Sequence, residues 1–143
     1  MKQAQEIVKI RSDGQGLYEI TDRVVRWVAA QSFDTGLLTL FCRHTSCSLT
    51  IQENADPDVQ ADLLNFFRNL VAEDPRLYRH TIEGPDDMPA HIRSALTDCS
   101  LQIPLVQGRL ALGTWQGIYL FEHRRAAQER QVVLHLQGSG GDP

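Results

Sequence analysis

Three short stretches of this chain hold polar side chains whose types could do chemistry together: His44-Thr45-Ser46, the run from His80 to His91, and the run from Thr114 to Glu122. Imidazole nitrogens and carboxylates are the usual ligands of zinc and similar divalent ions. Hydroxyls and amides orient a polar ligand. His44 follows an apolar run, and Thr45, Ser46 and Ser48 add hydroxyls beside it. A hairpin turn is needed there, yet the usual Asn-Gly or Gly residues are missing. A polar loop with a surface histidine is the plain alternative.

Between His80 and His91 lie Glu83, Asp86 and Asp87. Asp87 can cap the helix that begins near Pro89, which puts His91 in its first turns, beside the Met88, Ile92, Leu96 stripe. A helix N-terminus disfavours a protonated imidazole, and the neutral ring is the form that binds a metal. The alternative for His91 is a satisfied core histidine. In the third stretch, Gly113 and Gly117 bracket Thr114-Trp115-Gln116, a pattern that suits close backbone approach within a strand region. Trp115 could wall a pocket, or fill the core beside a β-bulge. Glu122 ends an apolar strand, and a buried carboxylate needs a partner. His135 alternates away from Leu134 and Leu136, so it faces the other side of its strand.

Cys42 and Cys47 flank His44 as Cys-x-His-x-x-Cys. No second cysteine pair lies at zinc-finger spacing, and both occupy apolar strand positions, where free cysteine is a common small hydrophobe. The three cysteines, an odd number without a secretory signal, point to reduced thiols in a cytoplasmic protein.

The elements that must position these groups read as ββα, ββα, α, then strands. Strands are expected at 6–10, 17–21, 37–42, 48–52, 101–106, 109–112, 117–122 and 131–137. A helix capped by Thr21 or Asp22 runs to about Gln31, with a stripe of Val24, Val25 and Val28 beside Trp27. Asp56-Pro57 opens the clearest helix, whose Val59, Leu63, Phe66, Phe67 and Leu70 recur at helical spacing. With 143 residues this is one α+β domain over residues 1–137, followed by a flexible tail at 138–143. It is too short, and lacks the alternation, for a (β/α)8 barrel. The net charge of −4 offers no basic stripe for nucleic acid, and no apolar run reaches membrane-span length.

Three strings resemble the YjbQ-like family, whose label is secondary thiamine-phosphate synthase. They run from His44 to Val59, Glu83 to Ser94, and Gly108 to Arg124. The resemblance implies a β-sandwich with about three helices, packed as a homotrimer, with a histidine-lined pocket near a subunit interface. It assigns His44, His80 and His91 as metal ligands, for zinc by preference or magnesium. Thr45, Ser46, Glu53, Asn54, Asp56 and Thr114 become ligand-binding residues, and Asp87, Trp115, Gln116 and Glu122 catalytic ones. It implies a small phosphorylated ligand and a reaction joining hydroxymethylpyrimidine diphosphate to a thiazole phosphate. A metal-dependent hydrolase or a non-catalytic trimeric binding protein would fit the same residues. The segment from Arg125 to Arg130 departs from the family by lacking its glycine-containing turn. On this reading the three stretches meet in one pocket.

Overall fold

The computed structural model describes residues 1–140. Two antiparallel sheets enclose the core. The larger contains β1 (Lys2–Ser12), β8 (Gln128–Ser139), β3 (Thr35–Cys42), β5 (Ser100–Val106) and β6 (Arg109–Leu110), in that order. The smaller contains β2 (Gly16–Glu19), β7 (Gln116–Glu122) and β4 (Cys47–Glu53). Three helices join them: α1 (Thr21–Ala29), α2 (Pro57–Leu70) and α3 (Asp87–Leu96). The result is a curled, sandwich-like α+β fold in one domain. Among the described residues no helix is long and apolar enough to cross a membrane.

Strand alternation sets the core, because side chains two residues apart share a face. Leu38, Leu40 and Cys42 of β3 meet Val132, Leu134 and Leu136 of β8 inside the sandwich. His135 points the other way and bonds Gln5 at 2.8 Å, as its register predicts. In β7, Ile118 and Leu120 face the core. On the opposite face Phe121 packs edge-on against Phe67 of α2, at 5.3 Å between ring centres. β7 is thus covered on both sides. Cys42 and Cys47 are buried in the core with their sulfurs 3.3 Å apart, which agrees with their reading as small hydrophobes.

Several local expectations are corrected. Thr21 does not cap α1: its hydroxyl instead donates to Glu19 Oε2 and accepts from the Ile118 amide, closing β7. Val25 is 41% exposed, and only Val24 and Val28 of the stripe are buried. The strand expected to reach Leu112 stops at Leu110. It begins after a two-residue turn in which Gln107 and Gly108 both have positive φ, the geometry a tight hairpin prefers. Gly138 and Ser139 are not frayed, because β8 lies between β1 and β3. Gly138 pairs with Lys2 on one side and Gly36 on the other, so tightly that a Cβ would fall 2.0 Å from the Thr35 carbonyl oxygen. Gly140 is also held, its carbonyl accepting from Lys2 Nζ at 3.0 Å, and residues 141–143 of the expected tail lie outside the described residues.

Asp56 caps α2 as expected, accepting from the Asp58 amide at 2.9 Å, with Pro57 in the first helical turn.

The end of β7 carries a buried ion pair. Glu122 is 0% exposed and accepts from Arg130 Nε at 2.7 Å and Arg130 Nη2 at 2.5 Å. Ser12 donates to the same carboxylate at 2.6 Å, and the amides of His123 and Arg124 donate at 3.1 Å each. Breaking a buried pair by removing one charge leaves the other uncompensated. Glu122→Gln is therefore expected to lower unfolding free energy by about 3–5 kcal/mol in urea denaturation. A loss below about 1 kcal/mol would show that the pair does not anchor this end of the sandwich.

Candidate functional site

Just beyond the Glu122–Arg130 pair the chain turns, and Arg124 reaches the start of α3. Its Nε donates to Asp86 Oδ2 at 2.9 Å, its Nη1 to Asp87 Oδ1 at 2.8 Å, and its Nη2 to the Glu83 carbonyl at 3.0 Å. This explains a departure from expectation. Asp87 does not cap α3, nor does Asp86 in the N-cap position, because both carboxylates are drawn to Arg124.

The free edge of Asp87 faces two histidines. Its Oδ2 lies 2.6 Å from His80 Nε2 and 3.0 Å from His91 Nε2. His91 follows Asp87 by four residues, one helical turn, which puts both on one face of α3. Glu83 Oε2 lies 3.1 Å from His80 Nε2. One ligand atom from each of His80, Glu83, Asp87 and His91 falls within 4.8 Å of the others. Asp87 is buried, while the histidines are half-exposed and Glu83 faces outward.

Tautomer logic sharpens this cluster. His91 Nδ1 lies 2.9 Å from the Thr45 carbonyl oxygen, which can only accept, so Nδ1 carries the hydrogen. In the neutral ring, Nε2 is then a lone pair pointed at a carboxylate oxygen. Such a contact needs a proton or a cation between the two atoms. Metal-binding histidines commonly donate their other N–H to a backbone carbonyl in this way. The hydrogen bond to Asp87 raises the His80 pKa above its ordinary value, against the opposing effect of burial. Burial pushes Asp87 upward, but its hydrogen bond with His80 foremost, and the charge of Arg124, hold it below the usual range. The donor set of two imidazoles and two carboxylates fits zinc better than magnesium, which prefers oxygen ligands and water.

His44 is not part of this cluster. Its Nε2 accepts from the Gln131 amide at 2.8 Å, leaving Nδ1 as the N–H of a neutral ring. Burial first, and Arg130 next, keep that ring neutral by lowering its pKa. It lines a depression of about 350 Å³ together with His91, Cys47 and the exposed Cys99. Thr45 contributes its carbonyl to His91, and the Ser46 hydroxyl accepts from Arg130 at 3.0 Å. Glu122 has its oxygens filled by protein donors, so its place is structural.

The remaining candidates sit elsewhere. β4 pairs antiparallel with β7, so Cys47 opposes Glu122 while Glu53 opposes Gln116. Six residue steps separate these pairs, roughly 20 Å along the strands. At the far end, the Asn54 amide donates to the Trp115 carbonyl at 3.0 Å, and Gln116 Oε1 accepts from Gly113 at 2.7 Å. Glu53 accepts from the Asp56 amide at 2.9 Å. Asn54, Thr114 and Gln116 line a groove of about 620 Å³ against α1. Trp115 is 62% exposed rather than a buried wall. Within one chain, then, the three stretches form two separate ends rather than one pocket. Arg124 is the functional-end residue that sequence reasoning missed. Its only signal was its place at the close of the third matched string.

Fold and cluster together define a small α+β sandwich with a histidine–carboxylate centre at one end of its short sheet. The chain belongs to the UPF0047 protein YjbQ-like family, whose sequence model matches residues 6–139. It is 55% identical over 137 residues to a UPF0047 protein of Synechocystis sp., covering 96% of this chain and 93% of that one. It is 44% identical over 135 residues to YjbQ of Salmonella typhimurium, covering 94% and 97%. A conserved hypothetical protein from Thermus thermophilus superposes with a TM-score of 0.78 at 38% identity, covering 90% of this chain and 97% of that one. A YbjQ-like protein from Sulfolobus solfataricus shares the fold at a TM-score of 0.84 and 21% identity, covering 96% and 100%.

Just past β7, His123 is buried against Phe121, with its Nε2 2.9 Å from the Ser48 hydroxyl. Burial, followed by the charges of Arg93 and Arg130, pushes its pKa from 6.5 down to about 3. The unfolded chain takes up this proton first as pH falls, so the stabilising effect is complete above the unfolded value and is lost toward the folded one. From about pH 7 to about pH 5 this residue should remove about 2 kcal/mol of stability. Urea titrations of His123→Gln should lack that increment. Equal pH slopes in variant and wild type would contradict it.

Proposed function

We propose that this chain is a divalent-metal enzyme acting on a small phosphorylated metabolite. The observation that carries the reading is His91, whose lone pair is aimed at Asp87 by its own hydrogen bond to Thr45. His80, His91 and Asp87 would hold the ion, zinc by preference, and Glu83 would complete the set or accept a proton. A bound divalent ion would polarise a phosphoryl oxygen and lower the pKa of a water molecule. Arg124 holds Asp87 in place, and Thr45 keeps His91 in its metal-ready tautomer. The open side of the cluster, at His80 and Glu83, favours hydrolysis, since solvent reaches it directly. Thiamine-phosphate formation is the second reading, supported by the family resemblance. There the same ion would neutralise a departing diphosphate.

Calorimetric zinc titration tests the site. His80→Ala and His91→Ala should each weaken binding at least tenfold, while His44→Ala should stay within about threefold. A large loss in His44→Ala with none in His91→Ala would move the metal elsewhere. Phosphorus NMR of the zinc-loaded protein with phosphorylated metabolites then separates the reactions. Orthophosphate release marks hydrolysis. Diphosphate release that requires the thiazole phosphate marks the transfer. Binding without turnover would mark a non-catalytic module.

We further propose the homotrimer that the resemblance implies. Phe66 and Leu70 of α2 and Trp115 are exposed apolar side chains that an interface would cover. A trimer could also bring the far end of one chain's short sheet to the near end of another's. Light scattering should give three times the chain mass, and a monomer at micromolar concentration would refute the assembly.

A further inference from the structure

A second polar site lies on the other side of Asp86 from the histidines. Asp86 Oδ2 accepts both the Arg124 guanidinium and the Arg125 amide, at 2.9 Å each. Consecutive residues are thereby sent apart. Arg124 goes to the histidine–carboxylate cluster, and Arg125 turns to a depression of about 210 Å³ lined by Gln15, Arg68, Glu73, Arg93 and Arg125. Five separate parts of the chain supply these side chains: the turn between β1 and β2, α2, the loop after it, α3 and the loop before β8.

Their charges do not balance. Three guanidiniums face one carboxylate, leaving a net charge of +2 around the depression. Glu73 contacts Arg125 closely, accepts from Gln15 at 3.1 Å, and lies 3.7 Å from Arg93 Nη1. Arg68 has no carboxylate partner among the described residues, and its Nε donates only to Gln15 Oε1 at 3.4 Å. Arg93 is 3% exposed, and burying a guanidinium is costly unless it is well bonded. Its position comes from the carbonyls of Phe67 and Val71 at the end of α2, 3.4 and 2.9 Å away, rather than from Glu73. Burial opposes its charge most, Glu73 supports it, and proximity to Arg68 opposes it again. The guanidinium is thus held at the depression by backbone carbonyls, and its one nearby carboxylate, Glu73, is shared with Arg125.

We propose that this depression binds a phosphate-class dianion, with Arg68, Arg93 and Arg125 as its cationic wall; the Gln15 amide, which donates to Glu73 and to the His123 carbonyl, lies beside it. Planar guanidinium forks match phosphate oxygens in pairs, and a dianion cancels the surplus charge. Glu73 occupies part of that role and competes with the ligand. The site stands independently of the metal reading, because none of its residues belongs to the histidine cluster.

The test is titration of the full chain in EDTA with inorganic phosphate and, separately, with glycerol phosphate, at fixed ionic strength. Binding is followed by NMR at the Gln15 side-chain amide. Saturable shifts are expected, weakened at least tenfold by Arg68→Gln with Arg125→Gln and tightened severalfold by Glu73→Gln. Arg68 and Arg125 are exposed, so their replacement spares the core. Preference for the ester would assign the site to the phosphoryl group of a metabolite. Preference for phosphate would assign it to the free ion. No saturable shift with either probe, or shifts indifferent to the arginine variants, would overturn the proposal.

Discussion

Glu122 and Arg130 form the contact on which the near end of the sandwich depends. The carboxylate has no exposure, and two nitrogens of one guanidinium, a serine hydroxyl and two backbone amides donate to it. Charged groups survive burial only when their bonding is this complete. Two of those donors are the amides of His123 and Arg124, so the ion pair also fixes the backbone leaving β7. Arg130 reaches back to Ser46, tying down the loop that carries His44 and Thr45. One buried pair therefore positions both chain segments that bear on the candidate centre.

From there the constraints pass outward in order. Arg124, set by Glu122, clamps Asp86 and Asp87. Asp87 aligns His80 and His91, and Thr45, held near Ser46, selects the His91 tautomer. The exposed rim is the chemically versatile part, whereas the buried layer beneath it serves only to hold groups in place. This division explains why Glu122, an attractive catalytic candidate by type, is spent on structure. A carboxylate with every lone pair engaged has none to offer a substrate. The Arg125 amide is fixed by Asp86, while its exposed guanidinium pairs with Glu73 at the rim of the second depression.

Much of the architecture was legible in the chain. The Asp56-Pro57 start of α2, the alternation of Leu134, His135 and Leu136, and the apolar placement of Cys42 and Cys47 all follow from local rules that the fold obeys. Local reading failed where a distant partner competed for the same group. Thr21 and Asp87 have the right side chains for capping, but Ile118 claims the first and Arg124 the second. Gly138 looked like the start of a tail because its neighbours are small and polar. It is held by β1 and β3, which lie far from it in sequence.

The candidate centre shows the same limit. Residue type and spacing set His80 and His91 in one polar run with Glu83, Asp86 and Asp87, and grouped these two histidines with His44 as ligands; the structure replaced His44 by Glu83 and Asp87. Type and spacing also determined an α+β chain whose polar segments lie between strands. Only the tertiary structure decided that Gln116, with Thr114 and Trp115 just before it, lies at the end of the short sheet opposite Glu122, about 20 Å along the strand, since strand register converts six residues into distance. It decided, too, that His44 gives its lone pair to Gln131. A histidine's type states what it can ligate, but which nitrogen is free depends on the groups that folding brings against it.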